Sequence, residues 1–241
     1  MKRSAVLLLA FLLFPSLAFA WGEKGHYIVN EAATLSLTTD MPHFFYRSFP
    51  DLVWLGFDPD RWKGSDHSLD AVNPPDHFLD YEYVAELALP PSRYEYIAGM
   101  HETGLLRMKG IANDDPGFLP WKIAEVAETL EVLFREWRRT PPGERGPVER
   151  DIIHFAGILG HYAGDSSNPQ HATTNYNGWL DANPHGYAND CGAHSRFETT
   201  FVSHAIQVAD VTPKVTATPV RITNYVTVWR RWKRSDADDR Q

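Results

Sequence analysis

Apolar residues recur at helical spacing along four stretches of the chain. The clearest covers residues 120–139. There Ile123, Val126, Ala127, Leu130, Leu133, Phe134 and Trp137 share one stripe, with acids and Arg138/Arg139 on the other faces. Pro141-Pro142-Gly143 ends it. The next stretch, 148–165, carries apolar Ile152, Phe155, Ala156, Leu159 and Tyr162, and Pro147 suits a first helical turn. Residues 25–37 and 194–208 predict two more helices. Between them lie 50–80, 90–118 and 166–193, rich in Pro, Gly, Asn and Asp and read as long irregular connections. Loops of that length inside one domain are usually functional or pinned by something. Alternation of period two is confined to short pieces such as 214–228. The pattern predicts an all-α fold, a single multi-helix domain with long pinned loops and few strands.

The N-terminus changes where that domain begins. Lys2 and Arg3 precede an apolar run from Ala5 to Leu13, and Ala18-Phe19-Ala20 fits the small-x-small cleavage rule. The apolar run is too short to span a bilayer comfortably. Residues 1–20 therefore read as a signal peptide, cut at Ala20–Trp21, with the product periplasmic or extracellular. The domain is expected over 21–228, followed by a charged tail at 229–241. Removing Lys2 and Arg3 leaves 21 basic against 31 acidic side chains, a net charge of −10. Such a surface argues against a general grip on polyanions. It leaves phosphate chemistry open, because bound divalent cations reverse the local sign. The single cysteine, Cys191, rules out an internal disulfide. It could be a soft metal ligand or simply a small turn residue.

The candidate chemistry is concentrated in His161-x3-Asp165-x5-His171 and His194-x3-Glu198. Residues four apart on a helix project from the same face. Two helices that each present a His and a carboxylate are the usual framework for a polynuclear metal site in a helical domain. Imidazole and carboxylate are ligands that zinc accepts. Two further segments carry candidates: Asp58-Pro59-Asp60-Arg61-Trp62 and Pro74-Pro75-Asp76-His77-Phe78, with Asp66 and Asp70 as additional carboxylates. His154, seven residues before His161, could orient a ligand or serve only as a structural residue. Cleavage before Trp21 would expose Trp21-Gly22-Glu23-Lys24-Gly25-His26, whose new amino group and His26 could be ligands as well.

These motifs resemble those of the zinc-dependent phospholipase C and single-strand-specific zinc nuclease superfamily. The resemblance rests on Trp-Gly-x-x-Gly-His at the mature N-terminus, on His-Tyr-x-Gly-Asp-x5-His, and on His-Ser-x-Phe-Glu. It covers residues 21–205. It implies an all-helical domain holding three zinc ions per chain at the bottom of a cleft. By that resemblance Trp21 would bind one zinc through its amino nitrogen and carbonyl oxygen, beside His26. Asp165 would bridge to a second, also held by Asp60, His77 and His161. His171, His194 and Glu198 would hold the third. Asp60 matches the motif better than Asp58, and would also orient or deprotonate the attacking water. Until the signal peptide is cut, the amino ligand does not exist, so export would activate the enzyme.

The implied reaction is phosphodiester hydrolysis, with a phospholipid headgroup or single-stranded nucleic acid as substrate and no stable protein partner, the chain acting as a monomer. The nuclease branch typically closes its last pair with aspartate after a Trp. Here the pair closes as His194-Ser195-Arg196-Phe197-Glu198, which favours a phospholipase C-like hydrolase over a nuclease. Tyr176, Trp179, Tyr187 and Phe44-Phe45-Tyr46 could serve as base-stacking platforms, line a headgroup pocket, or fill the core. A zinc-binding structural or storage protein is the non-enzymatic alternative, and closed tetrahedral sites would mark it. Beyond residue 205 the resemblance stops. There the Thr/Val-rich 211–228 and the basic-aromatic run from Trp229 to Arg234 replace the final packed helices of the family.

Overall fold

The computed structural model describes residues 21–215, apart from positions 66, 86, 88, 113, 115 and 181. Those residues are mostly helical, and none of them forms a strand. Five helices frame the site: α1 (Gly22–Leu35), α2 (Phe49–Leu55), α3 (Asp58–Arg61), α4 (Leu119–Arg139) and α5 (Gly146–Asp165). Residues 1–20, read above as a signal peptide, the expected tail at 229–241 and nearly all of the 214–228 stretch lie outside the described residues.

α4 and α5 follow their hydrophobic stripes. Ile123, Val126 and Leu130 turn inward, and Ile152, Ile158 and Tyr162 of α5 face them or the neighbouring core. Burying each aliphatic side chain of this size is worth roughly 1.5–3 kcal/mol. A second core lies under the connecting segments: Leu79, Tyr96, Met100, Leu106, Phe118 and Trp121. Phe44 and Phe45 are part of the α4–α5 core, so two of the three residues in that run are core and not stacking platforms.

Two glycines let α1 and α2 approach α5. A Cβ on Gly157 would lie 2.4 Å from the Leu55 Cβ, and one on Gly160 would lie 2.1 Å from the Asn30 Oδ1. Asn30 uses the resulting closeness to bridge the two helices, donating from Nδ2 to the Leu52 carbonyl at 2.8 Å and the Gly157 carbonyl at 3.0 Å.

Three expectations need correction. The segments 50–80 and 90–118 are not irregular. They contain α2, α3, short helices at His67–Val72, Arg93–Glu102 and Leu105–Lys109, and a 3-10 turn at Pro74–His77. Helices this short bury too few residues to show a stripe, and Arg93–Glu102 buries only Tyr96 and Met100. Its start is nonetheless marked, since the Ser92 hydroxyl accepts from the Tyr94 amide. The predicted helix over 194–208 stops earlier. It runs through Ala193–Ser195, a π-helical turn at Arg196–Phe201, and Val202–Ala205. Ile206 is extended, and a capping box between Gln207 and Asp210 starts a separate turn. α1 likewise begins at Gly22, three residues before the expected start, and ends at Leu35.

Candidate metal centre

The end of α5 delivers His161 and Asp165 to the centre of the molecule, and both side chains are completely buried. α1 brings His26, whose ring stacks on that of His161 with centroids 3.8 Å apart. α3 brings Asp60, and the turn at Pro74–His77 brings His77. Asp60 Oδ1 lies 3.5 Å from His77 Nε2 and 3.9 Å from His161 Nε2, while Oδ2 lies 3.6 Å from His26 Nε2. Asp165 is 3.5 Å from His26 Nε2 and 3.7 Å from His171 Nδ1. His171 Nε2 and His194 Nε2 close on the two oxygens of Glu198, at 3.2 and 2.5 Å.

Three sets of donor atoms each fit around one point: His26/His161/Asp165, Asp60/His77/His161 and His171/His194/Glu198. Each could hold a metal ion. Eight of the nine residues singled out from sequence thus converge, with His161 shared between two sets. The ninth, Trp21, sits at the head of α1. Its indole donates to the Gly164 carbonyl at 2.8 Å and its ring packs on Phe197, so residue 21 is held beside Asp165 and Glu198.

The local chemistry suits cations. His161, His77 and His171 each direct Nδ1 at a backbone carbonyl, of Gly56, Asn73 and His77, at 2.8, 2.8 and 2.5 Å. A carbonyl only accepts, so Nδ1 carries a proton and Nε2 is turned to the centre, offering its lone pair whenever the ring is neutral. This is how proteins set imidazole ligands. The buried Nε2 atoms of His77 and His161 and both oxygens of Asp165 make no hydrogen bond. Yet His161 Nε2 and Asp165 Oδ2 lie only 3.2 Å apart. Atoms this close but misaligned face a common point more than each other. Leaving such groups buried and unbonded costs about 1–3 kcal/mol apiece.

Protonation follows from the crowding. Burial, reinforced by the Lys63 ammonium and His161, holds His77 well below its ordinary value, so it is neutral. Burial also works against charge on His171, but the Asp165 and Glu198 carboxylates outweigh it and push the group up to about 9. Burial raises Asp60, which Lys63 and His161 oppose and Asp165 reinforces. Glu198 is lowered: burial opposes this, and the His171 and His194 bonds prevail.

The neighbouring carboxylates sort themselves by contact. Asp58 pairs with Arg61 at 2.7 Å and joins no donor set, so Asp60 is the residue of that turn in the cluster. Asp70 accepts from the Gly64 amide at 3.3 Å on the rim, and Asp66 lies outside the described residues. His154 is exposed on the far side of α5, in a cleft with Trp54 and Arg150, and orients no ligand. Cys191 is exposed and belongs to no donor set.

Sequence reasoning missed three contributors. Lys63 sets its ammonium 2.5 Å from Asp60 Oδ1. Asn168, completely buried, donates through Nδ2 to Glu198 Oε1. Asn73 bonds the Pro59 carbonyl. Lys63 could have been found three residues after Asp60, one turn on. No local pattern marks the two asparagines.

No protein-family model matches the chain, and no curated protein or solved structure is similar to it.

The cluster opens on a cleft of about 620 Å³. His77, His171 and His194 form the side of it that carries candidate metal donors, together with Lys63. The rest of the wall carries Asp70, Asp80 and Asp114 with Phe78, Tyr83 and Tyr176. Tyr176 stands edge-on to the His194 ring at 5.3 Å.

Proposed function

We propose that this chain is an exported trinuclear zinc phosphodiesterase of the phospholipase C and single-strand nuclease superfamily, acting on a phospholipid headgroup ester. The observation that carries the reading is the convergence of eight buried His, Asp and Glu side chains from six separate segments beside an open cleft. A storage or structural site has no need of the cleft.

The donor sets would hold the ions as grouped above, with the amino end at Trp21 completing the set of His26 and Asp165. Bound zinc supplies charge neutralisation at the phosphate and a more acidic water. The chain's own residues do the rest. Lys63, which lines the cleft and is oriented by Asp60, holds one negative oxygen of the phosphodiester. Asp60 has no exposed surface, which suits a ligand and orienting group better than a base in contact with bulk water. The fixed Nδ1 protons of His77, His161 and His171 keep three rings rigid, so the phosphate meets a preorganised surface.

The wall favours a headgroup over a polynucleotide. One phosphate suits Lys63 and the metal-facing side. Further phosphates of a strand would meet Asp70, Asp80 and Asp114, whereas an amino-alcohol cation fits those carboxylates and the Tyr83 and Tyr176 rings. The nuclease reading keeps one observation: Trp179 and Tyr187 pair with ring centroids 5.2 Å apart, and Tyr187 and Tyr176 are exposed, so bases could stack on them.

The test is direct. Mature protein starting at Trp21 should contain three zinc ions, release phosphocholine from phosphatidylcholine vesicles, and lose that activity to a chelator. Faster cleavage of single-stranded nucleic acid would select the other branch. A metal-loaded chain without hydrolysis of either substrate would refute the enzymatic reading.

A further inference from the structure

Asn73 is almost fully buried, at 3% exposure, yet belongs to no donor set. It stands between the short helix His67–Val72 and the turn Pro74–His77. Its Nδ2 donates to the Pro59 carbonyl at 2.9 Å. That carbonyl is part of the peptide unit leading into Asp60, so the bond sets the plane from which the Asp60 side chain leaves. The Asn73 carbonyl accepts the Nδ1 proton of His77 at 2.8 Å. One residue therefore fixes both the Asp60 backbone and the His77 ring.

The bonding continues. The His77 carbonyl takes the Nδ1 proton of His171 at 2.5 Å, and the Leu79 amide returns to the His171 carbonyl at 2.9 Å. His171 Nε2 then faces Glu198 Oε1 at 3.2 Å. Pro74 and Pro75 occupy the turn between Asn73 and His77. Their fixed φ angles make the turn transmit a displacement instead of absorbing it.

We propose that Asn73 is a positioning residue for the Asp60/His77/His161 set, and that the bonded path through the His77 carbonyl couples its metal loading to that of His171/His194/Glu198. The proposal rests on the metal-binding reading. A cation held by His77 and Asp60 would fix the turn whose His77 carbonyl orients His171, so the second set is steadied for its own ion. Coupling of this kind is reciprocal.

Cobalt(II) is the probe, because its visible absorption reports coordination without any substrate. Stripped mature protein should load the two sets in one cooperative step. Asn73→Ala removes the donor to Pro59 while leaving the backbone carbonyl for His77. It should weaken cobalt binding at the Asp60 set by about 10- to 100-fold and split the isotherm into two steps. Asn73→Asp keeps the size but sets an acceptor against the Pro59 carbonyl, and should behave as the alanine variant does.

Wild-type affinity and a single step in both variants would overturn the proposal. So would an equal weakening at both sets together with a lower melting temperature of the metal-free protein, which is the mark of general loosening. Two independent steps in the unaltered chain would overturn the coupling. A chain that takes up no cobalt would refute the metal-binding reading itself, which is a separate result.

Discussion

Raising the pH of the metal-stripped protein from 6.5 to 9 should cost it about 3 kcal/mol of stability. The reasoning begins at His171, buried between Asp165 and Glu198, whose carboxylates push it from 6.5 up to about 9. A group whose folded value is raised binds its proton more tightly in the native state. Its contribution is complete below 6.5 and is lost as the pH climbs through about 9. The full contribution is about 3.5 kcal/mol, at about 1.4 kcal/mol per pH unit, and about 3 kcal/mol of it is lost between 6.5 and 9 because one state is half-titrated at each end. For a domain of this size the loss corresponds to a fall of roughly 6–12 °C in melting temperature. His77 does not interfere, because its lowered value makes stability rise towards 6.5 and then level off. Asp60, raised by burial, loses its contribution in the same direction as the pH rises above 3.8, so the His171→Gln control is what isolates the His171 share. The assay is thermal unfolding by circular dichroism in a chelator at pH 6.5, 7.5, 8.5 and 9.5, with His171→Gln as the matched control. Metal-loaded protein should show the slope removed or reversed, because ligation needs the deprotonated nitrogen. A metal-free melting temperature that stays flat or rises across this window, or a slope undiminished in His171→Gln, would refute the argument.

Other expectations follow from single contacts. An extra residue ahead of Trp21 should leave the mature protein one zinc short by elemental analysis and take most of the hydrolytic activity; full activity would remove the amino terminus from the ligand set. Lys63→Met should lower kcat/KM on the order of 10- to 100-fold with three zinc ions still bound. Wild-type kinetics would show that its contact with Asp60 is only structural. Gly157→Ala drives a methyl into Leu55 and should cost about 1–3 kcal/mol in denaturant unfolding. An unchanged midpoint would mean that α2 can move away from α5.

The long helices were legible because many turns repeat one stripe. Seven apolar positions from Ile123 to Trp137 outvote any single exception, and the observed α4 begins within a residue of its predicted start. The donors were legible for a related reason: His161/Asp165 and His194/Glu198 use helical spacing, which brings two residues to one face without tertiary information. Asp60 and His77 could be named only through the motif order of the resemblance, since nothing local separates Asp60 from Asp58. What separates them is a contact: Asp58 is taken by Arg61, while Asp60 turns inward. The helices hidden in 50–80 and 90–118 were missed because each spans only one to three turns and its apolar residues pack on distant partners. Tyr96, for instance, stacks on Trp121 at 4.2 Å, a pairing across twenty-five positions. The π-helical turn at Arg196–Phe201 has no hydrophobic period to betray it either, though it lies where such turns concentrate, at a candidate functional residue, Glu198.

The way the donors are held bears on how the protein could survive without its ions. Three carboxylates, Asp60, Asp165 and Glu198, are buried almost completely. In the metal-free chain they have two internal counter-charges close by: the Lys63 ammonium at Asp60, and the proton that His171 keeps between Asp165 and Glu198. The ring orientations of His161, His77 and His171 are set by backbone carbonyls, which persist with or without a cation. Three apolar clusters surround the donors and owe nothing to them. Small zinc modules differ, since there the metal supplies most of the folding free energy. Here the hydrophobic cores establish the fold, and Lys63 and the His171 proton stand in for the missing positive charge. Under the proposed function loading is an exchange, in which the His171 proton is displaced and the Lys63 ammonium is left to meet the substrate's phosphate.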